Sequence, residues 1–368
     1  MKKNIFKYIS ISLVFLITYV LFGVWGLIEI NKNKSLLFKN KKDFLFHKKY
    51  SEKLHHLRDV DRWGKIENDY LFSTIHFEDK NVKSFLLQGD SWIESISEYK
   101  KSETLFRDYG LNKNLNFYNA GITSFAPSLM HLQYKILKRD YNINPNFILI
   151  YIDHTDIGDE FCRYKKNKVY SKNGSLLKIK NEKYTRATYD YTKLYMYSDL
   201  NFQSKFSQIS KFPYKKINYF AQRNFNQMMQ IINFGYKKRN DHKCSFKHIR
   251  KELVKDNPKS KKNLKNSLIS YLEVLKNDQL LEKIYLVSFP HRYHFDKSYA
   301  VSVSDLIDDV LVEYKDKRFI HFNMSKLDFE KYDLSEIYEK GDLASHLTEE
   351  YHSEIFVKKI LSFINEKK

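Results

Sequence analysis

Cysteine is nearly absent: the 368 residues hold only Cys162 and Cys244. No CxxC pair and no Cys/His spacing of the zinc-ligating kind occurs, which argues against a zinc ribbon or finger. A disulfide between the two cysteines is open outside the cytosol, where such bonds persist, although nothing in the sequence brings them together. An arginine-rich tract and an RNP-like aromatic motif are also missing, so nothing supports nucleic acid as a partner. No internal repeat is visible. No low-complexity linker is visible either, beyond the lysine-rich "KDNPKSKKNLKN", which reads as a solvated loop entering a helix.

Positive charge is plentiful. The formal net charge is +20 and the pI about 9.4. Such a surface attracts polyanions, among them anionic lipid headgroups and acidic glycans. Lys, Asn, Ile, Tyr and Phe are spread along the whole chain, which reads as a general compositional bias rather than a dedicated patch. The chain is 42% hydrophobic, enough for a sizeable core in one large domain or two smaller ones.

The stretch Tyr8 to Ile28, "YISISLVFLITYVLFGVWGLI", has no charged residue. As a helix it is about 31 Å long, matching a bilayer core of about 30 Å. Tyr19 and Trp25 suit an interfacial or packing role. The following "GLIEINKNK" has no A-x-A cleavage site, so the expectation is an uncleaved anchor over residues 1–30. Lys2, Lys3 and Lys7 precede the run, and Lys32, Lys34, Lys39, Lys41 and Lys42 follow it. With lysines on both sides, the positive-inside rule gives no orientation.

Residues 31–81 form a polar, basic stretch that reads as helix and loop, a stalk or a cap on the domain. His55 and His56 are adjacent, so on a helix they point to different faces, which argues against a metal role. From residue 84 the pattern changes. "SFLLQGD", "LNFYNAG", "FILIYID", "KIYLVSFP" and "FIHFNM" read as five strands. Helices are expected at 92–108, from Pro127 through "PSLMHLQYKILKRDY", at "VSDLIDDVLVEY" and over 349–366. Such alternation predicts an α/β domain over 82–368, its parallel sheet covered by helices on both faces. Residues 161–258 interrupt it as a largely helical insertion, rich in Tyr, Phe, Asn and Lys. Its aromatics either stack on sugar rings or form a small core of their own.

Ligands bind at the carboxyl ends of strands in such sheets, and "FLLQGDSWIESI" puts Ser91 there. Serine needs an adjacent base to act as a nucleophile at neutral pH. Four further segments bear on this. "YNAGITSFAPS" carries Asn119 and Gly121, and "YIDHTDIGDE" carries Asp153, Thr155 and Asp156. "GDLASHLTEEYHSEI" carries Asp342 and His346, and "VSFPHRYHF" follows the fourth strand. Each has a plain alternative: Asp90 and Ser91 as a helix N-cap, His346 as a surface histidine. The acidic run Asp153, Asp156, Asp159, Glu160 could hold a metal, but no second ligand cluster accompanies it.

In order and placement these segments resemble the SGNH (GDSL-like) hydrolase family, over about residues 82–160 and 280–366. The resemblance implies a three-layer α/β/α fold with a five-stranded parallel, flavodoxin-like sheet behind one transmembrane helix. It implies Ser91 as nucleophile, His346 as base and Asp342 as the acid that orients it, with Asp90 shaping the turn. The oxyanion hole would draw on the N–H groups of Ser91 and Gly121. Two departures stand out. Where the family has Gly-x-Asn-Asp, this chain has Asp153-His154-Thr155-Asp156, so the shorter Thr155 hydroxyl would have to donate in place of Asn. The last block has one residue more than the usual Asp-x-x-His.

By that resemblance the chain is a serine esterase or acyltransferase that moves or removes O-acetyl groups on surface polysaccharides, like bacterial enzymes that include the alginate acetylation proteins. The implied partners are a glycan substrate, the membrane through the N-terminal helix and, for transfer, an acyl-donor partner in the membrane. No metal or cofactor is implied, and the catalytic domain would lie outside the cytoplasm, in the periplasm. Two alternatives remain: a non-catalytic, membrane-tethered glycan-binding or assembly protein with a decayed site, and a lipid esterase.

Overall fold

In a computed structural model of the 368-residue chain, the structure describes residues 8–18, 21, 49–50, 52–58, 70–77, 81–180, 257–295, 302–327, 329, 332–340, 342 and 345–367. The chain divides into two units. One takes in residues 1–51, 59–68 and 183–242. Within it residues 8–18 are helical, with exposed side chains. Residues 19–20 and 22–28 of the expected anchor lie outside the described residues, and among the described ones no helix is long and apolar enough to cross a membrane. Most of the 161–258 insertion, from 181 to 256, also lies outside them.

The other unit, residues 52–58, 69–182 and 243–368, carries a six-stranded sheet. Its strands are β1 (Ser73–His76), β2 (Ser84–Gln88), β3 (Asn116–Asn119), β4 (Phe147–Tyr151), β7 (Lys283–Ser288) and β8 (Phe319–Asn323), in the order β1-β3-β2-β4-β7-β8. The five strands read from the sequence are all present and pair in parallel. The sheet is nevertheless mixed, because β1 adds an antiparallel edge against β3. This strand comes from the stretch read as stalk or cap. The stretch expected as a helical insertion begins in a helical turn (Asp159–Tyr164) and continues as a hairpin, β5 (Lys168–Tyr170) against β6 (Leu176–Ile179).

Side chains alternate across the sheet with period two. Phe85, Leu87, Phe117, Leu149, Tyr151, Tyr285 and Val287 join one core with residues of α1 (Ser91–Glu98), α2 (Lys100–Lys113) and α6 (Lys358–Lys367). Leu86, Ile148, Ile150, Ile284 and Leu286, which point the other way, are also buried. Both faces are therefore covered, as parallel strands require. Local signals set the remaining helices. Pro127 opens α3 (Pro127–Tyr141), and Asn257 caps α4 (Pro258–Lys276) by accepting from the Lys259 N–H. Ser302 caps α5 (Val303–Tyr314), accepting from the Asp305 N–H. Asn114 and Asn142 end α2 and α3 in the left-handed conformation that Asn tolerates.

Candidate active site

The turn after β2 is tightly determined. A Cβ on Gly89 would fall 2.5 Å from Ile93 Cγ1, so the strand can pass this close only as glycine. Asp90 is the N-cap of α1: its carboxylate accepts from the Trp92 N–H at 3.0 Å, and its carbonyl from Glu94 N–H. Ser91 is thus the first residue of the helix rather than its cap. Its N–H is one of the first-turn donors that a helix leaves unused, at the positive end of the dipole.

His346 reaches this turn from a loop before the last helix. Tyr338 and Leu347 form an antiparallel bridge, Glu339 N–H donates to the His346 carbonyl at 2.9 Å, and Asp342 N–H to Glu339. Ser345, at φ 60°, makes the tight turn. Asp342 Oδ2 accepts from the His346 backbone N–H and meets ring Nδ1, each at 2.7 Å. No helix is needed for the four-residue spacing; the turn puts both residues on one side. On the far side of the ring, Nε2 lies 2.5 Å from Ser91 Oγ. Because the carboxylate can only accept, Nδ1 holds the proton and Nε2 is left to receive one from serine. Burial alone would lower the His346 pKa. The Asp342 hydrogen bond and charge, reinforced by Asp153 and Glu339, outweigh it and hold the imidazole above its ordinary value.

An aromatic floor supports this pair. Trp92, the residue after the serine, packs against Tyr151, Phe289 and Phe356 at 5.0–5.4 Å. Its carbonyl meets His352 Nε2 at 3.0 Å, while His352 Nδ1 meets Ser102 Oγ at 2.9 Å. Burial pushes the His352 pKa down to about 4, so this histidine is a neutral tie between α1 and the last helical segment. Sequence reasoning missed it: its partners lie 260 and 250 positions away.

The other expected oxyanion donors are engaged within their own turns. Gly121 N–H donates to Asn119 Oδ1 at 2.9 Å. The Thr155 hydroxyl donates to Asp153 Oδ2, which also accepts from the Thr155 N–H at 2.9 Å. The cause is the residue at 153. An Asp two positions ahead folds back on the backbone and hydroxyl of Thr155, an option a glycine there would not offer. Thr155→Val is therefore expected to lower turnover less than about 10-fold, against the 100- to 1000-fold loss of a direct oxyanion donor. It should destabilise by about 1–3 kcal/mol, because a buried carboxylate loses a donor. Steady-state rates and thermal melts of the variant check this; a loss above 100-fold would return the hydroxyl to the oxyanion.

The acidic run does not gather as a metal site. Asp156 Oδ2 accepts from the Asp153 N–H at 3.2 Å. Asp159 pairs with Arg163 at 3.1 Å, and Glu160 takes Lys168 at 2.6 Å together with Ser128 and Ser267. Burial raises the pKa of Asp90, Asp153 and Asp156, and lifts that of Asp159 to about 7. Among the described residues, only Glu339, Asp342 and His346 bring ligand atoms within 4.8 Å of one another. Two of those three already form the hydrogen-bonded pair beside Ser91. His55 and His56 lie outside any helix. They are joined Nδ1 to Nδ1 at 2.9 Å, with His55 at φ 61°. Cys162 is disulfide-bonded, and Cys244 lies outside the described residues.

No family model matches the chain, and no curated protein matches it.

Proposed function

We propose that this chain is a membrane-anchored, serine-dependent acyl-ester enzyme of the SGNH type, which transfers or hydrolyses O-acetyl groups on a cell-surface glycan. The observation that carries the reading is the hydrogen-bonded line from Ser91 Oγ to His346 Nε2, and from His346 Nδ1 to Asp342. Its members come from a strand-to-helix turn and a loop 255 positions away. The strand order also supports it. Counting from β2, the parallel strands run 2-1-3-4-5, the flavodoxin-like order, whose ligands bind where the order reverses, between β2 and β4. Ser91 follows β2.

In this mechanism Ser91 Oγ attacks the acetyl carbonyl carbon as its proton passes to His346 Nε2. Asp342 stabilises the imidazolium. The Ser91 N–H and the α1 N-terminus face the developing oxyanion. Collapse breaks the C–O bond to the sugar, whose oxygen takes the proton back from His346. Acetyl-Ser91 then passes its acyl group to water or to a second hydroxyl by the same steps in reverse. The glycan substrate follows from the family resemblance. The test is release of phenol from an aryl acetate by the purified full-length protein, with and without O-acetylated polysaccharide. The proposal requires Ser91-dependent turnover; no turnover with any acetyl ester contradicts it.

A second, non-catalytic glycan-binding reading draws on one observation, the internal engagement of the Gly121 N–H and the Thr155 hydroxyl. The formed triad weighs against it.

The anchor is the uncharged run 8–28. Full-length protein is expected to stay with membranes through a carbonate wash, and its catalytic unit to be cleaved by protease added outside intact spheroplasts. Release by alkali would remove the anchor; protection from protease would reverse its orientation.

A further inference from the structure

Residues 52–58 fall in the stretch that reads as a stalk, yet they belong to the unit that carries the sheet. They first extend the small hairpin. Ile179 N–H donates to the Lys53 carbonyl at 2.8 Å, His55 N–H to the Ile179 carbonyl at 2.9 Å, and Leu54 bridges Ile179 in parallel. The left-handed turn at His55 then sends the chain toward the loop that follows β3.

Three carbonyls, at the last residue of β3 and at alternate residues of that loop, receive side chains from this segment. Arg58 Nη2 donates to the Asn119 carbonyl at 2.7 Å and its Nε to the Gly121 carbonyl at 3.0 Å. His56 Nε2 meets the Thr123 carbonyl at 2.7 Å. A carbonyl only accepts, so Nε2 carries hydrogen, and the Nδ1 of the neutral ring accepts from His55 Nδ1–H. Burial, against the pull of that carbonyl, holds the His56 pKa down to about 4, so the tie keeps one protonation state through the neutral range. Arg58 is 3% exposed, and its own N–H donates to the Tyr70 carbonyl at 3.2 Å.

The opposite side of the same loop lies on the Ser91 turn. Gly121 touches the backbone of Ile93 and Glu94. Thr123 N–H donates to Glu94 Oε2 at 2.8 Å, and Ile122 N–H to the Gly89 carbonyl at 3.1 Å. The loop is thus held between two clamps, one of which is the segment 52–58.

From these contacts we infer that Arg58, aided by His56, is a positioning residue that sets the β3–α3 loop against the turn carrying Ser91. The inference rests on the acyl-ester reading for its catalytic meaning, while the clamp itself stands on geometry. The planar guanidinium presents donors in a fixed fork, matched here to carbonyls two residues apart; lysine offers a point charge without that fork.

The test is full-length Arg58→Lys compared with the parent by two readouts. Hydrogen exchange followed by mass spectrometry should show faster exchange in peptides covering 119–126 and 89–94, with α4 and β7 unchanged. Turnover of an aryl acetate should fall about 10- to 100-fold at nearly unchanged KM, the size of effect that a small misplacement produces. If R58K fails to fold, His56→Leu carries both readouts. Unchanged exchange in the loop overturns the inference. Altered exchange with full turnover in an active parent also overturns it, because the residue then only stabilises. Altered exchange around a parent with no acyl-ester activity leaves the clamp standing and removes the enzymatic reading instead.

Discussion

Replacing Ser91 by alanine is expected to abolish acyl-ester turnover and leave the fold intact. The hydroxyl is joined to His346, while Asp90 caps the helix. Alanine is the best helix former, so α1 loses nothing it depends on. His346→Ala should cost nearly as much, on the order of 10⁴- to 10⁶-fold, because triad members act as a unit and their losses do not add. Asp342→Asn is expected to cost somewhat less, yet it carries a second penalty. Asp342 Oδ2 serves both the ring Nδ1 and the backbone N–H of His346, and an amide that turns its NH₂ to the ring favours the wrong tautomer.

The same group sets a pH dependence. His346 is raised above 6.5, against burial, by the Asp342 hydrogen bond and charge. Turnover needs the neutral ring, so it should rise with pH through that raised value. The stability that the ion pair contributes runs the other way: it is fully present below 6.5 and is lost as pH rises through the folded-state value. In Asp342→Asn the acid limb of kcat/KM should move to lower pH. An acid limb unmoved in this variant would mean that another group titrates.

Gly121→Ala is the second large effect. A Cβ there would fall 2.3 Å from Glu94 N, 2.6 Å from Ile93 C and 2.8 Å from Ile93 Cβ. The first two are backbone atoms of α1, which cannot swing aside as a side-chain tip can. The backbone of Gly121 is not left-handed, so the conflict is one of space alone. Either the β3–α3 loop lifts or α1 shifts, and α1 carries Ser91. Overpacking of this kind costs about 1–3 kcal/mol and occasionally more. For a unit of this size that corresponds to a fall in Tm of about 2–12 °C. Turnover should fall about 100-fold or more, since a displacement near 1 Å is enough. A variant melting within a degree or two of the parent, with full activity, would contradict the close approach.

Much of this was legible because it was local. Apolar runs located the five parallel strands, and Asp90 and Pro127 marked helix starts, whereas the lysine-rich stretch 255–266 that reads as a solvated loop lies mostly inside α4, which Asn257 caps. Strand β1 escaped because "STIH" is short and lies at the sheet edge, with only Ile75 well buried. The three residues of the proposed triad could be named from their blocks, although the extra residue before His346 obscured how Asp342 would reach the ring. Only the turn at Ser345 shows how the longer spacing still brings Asp342 under the ring. Thr155 stood out as a departure, but the departure that decides its role is Asp153, two residues earlier. Arg58, Glu94 and His352 gave no sequence signal, because their partners are brought to them by the fold.

The most direct measurement of the central claim is labelling by a fluorophosphonate, followed by mass spectrometry of the modified peptide. The account predicts a single adduct on Ser91 in the parent, none in Ser91→Ala, and much slower labelling in His346→Ala. A parent that does not react, or an adduct formed equally well in Ser91→Ala, would contradict it.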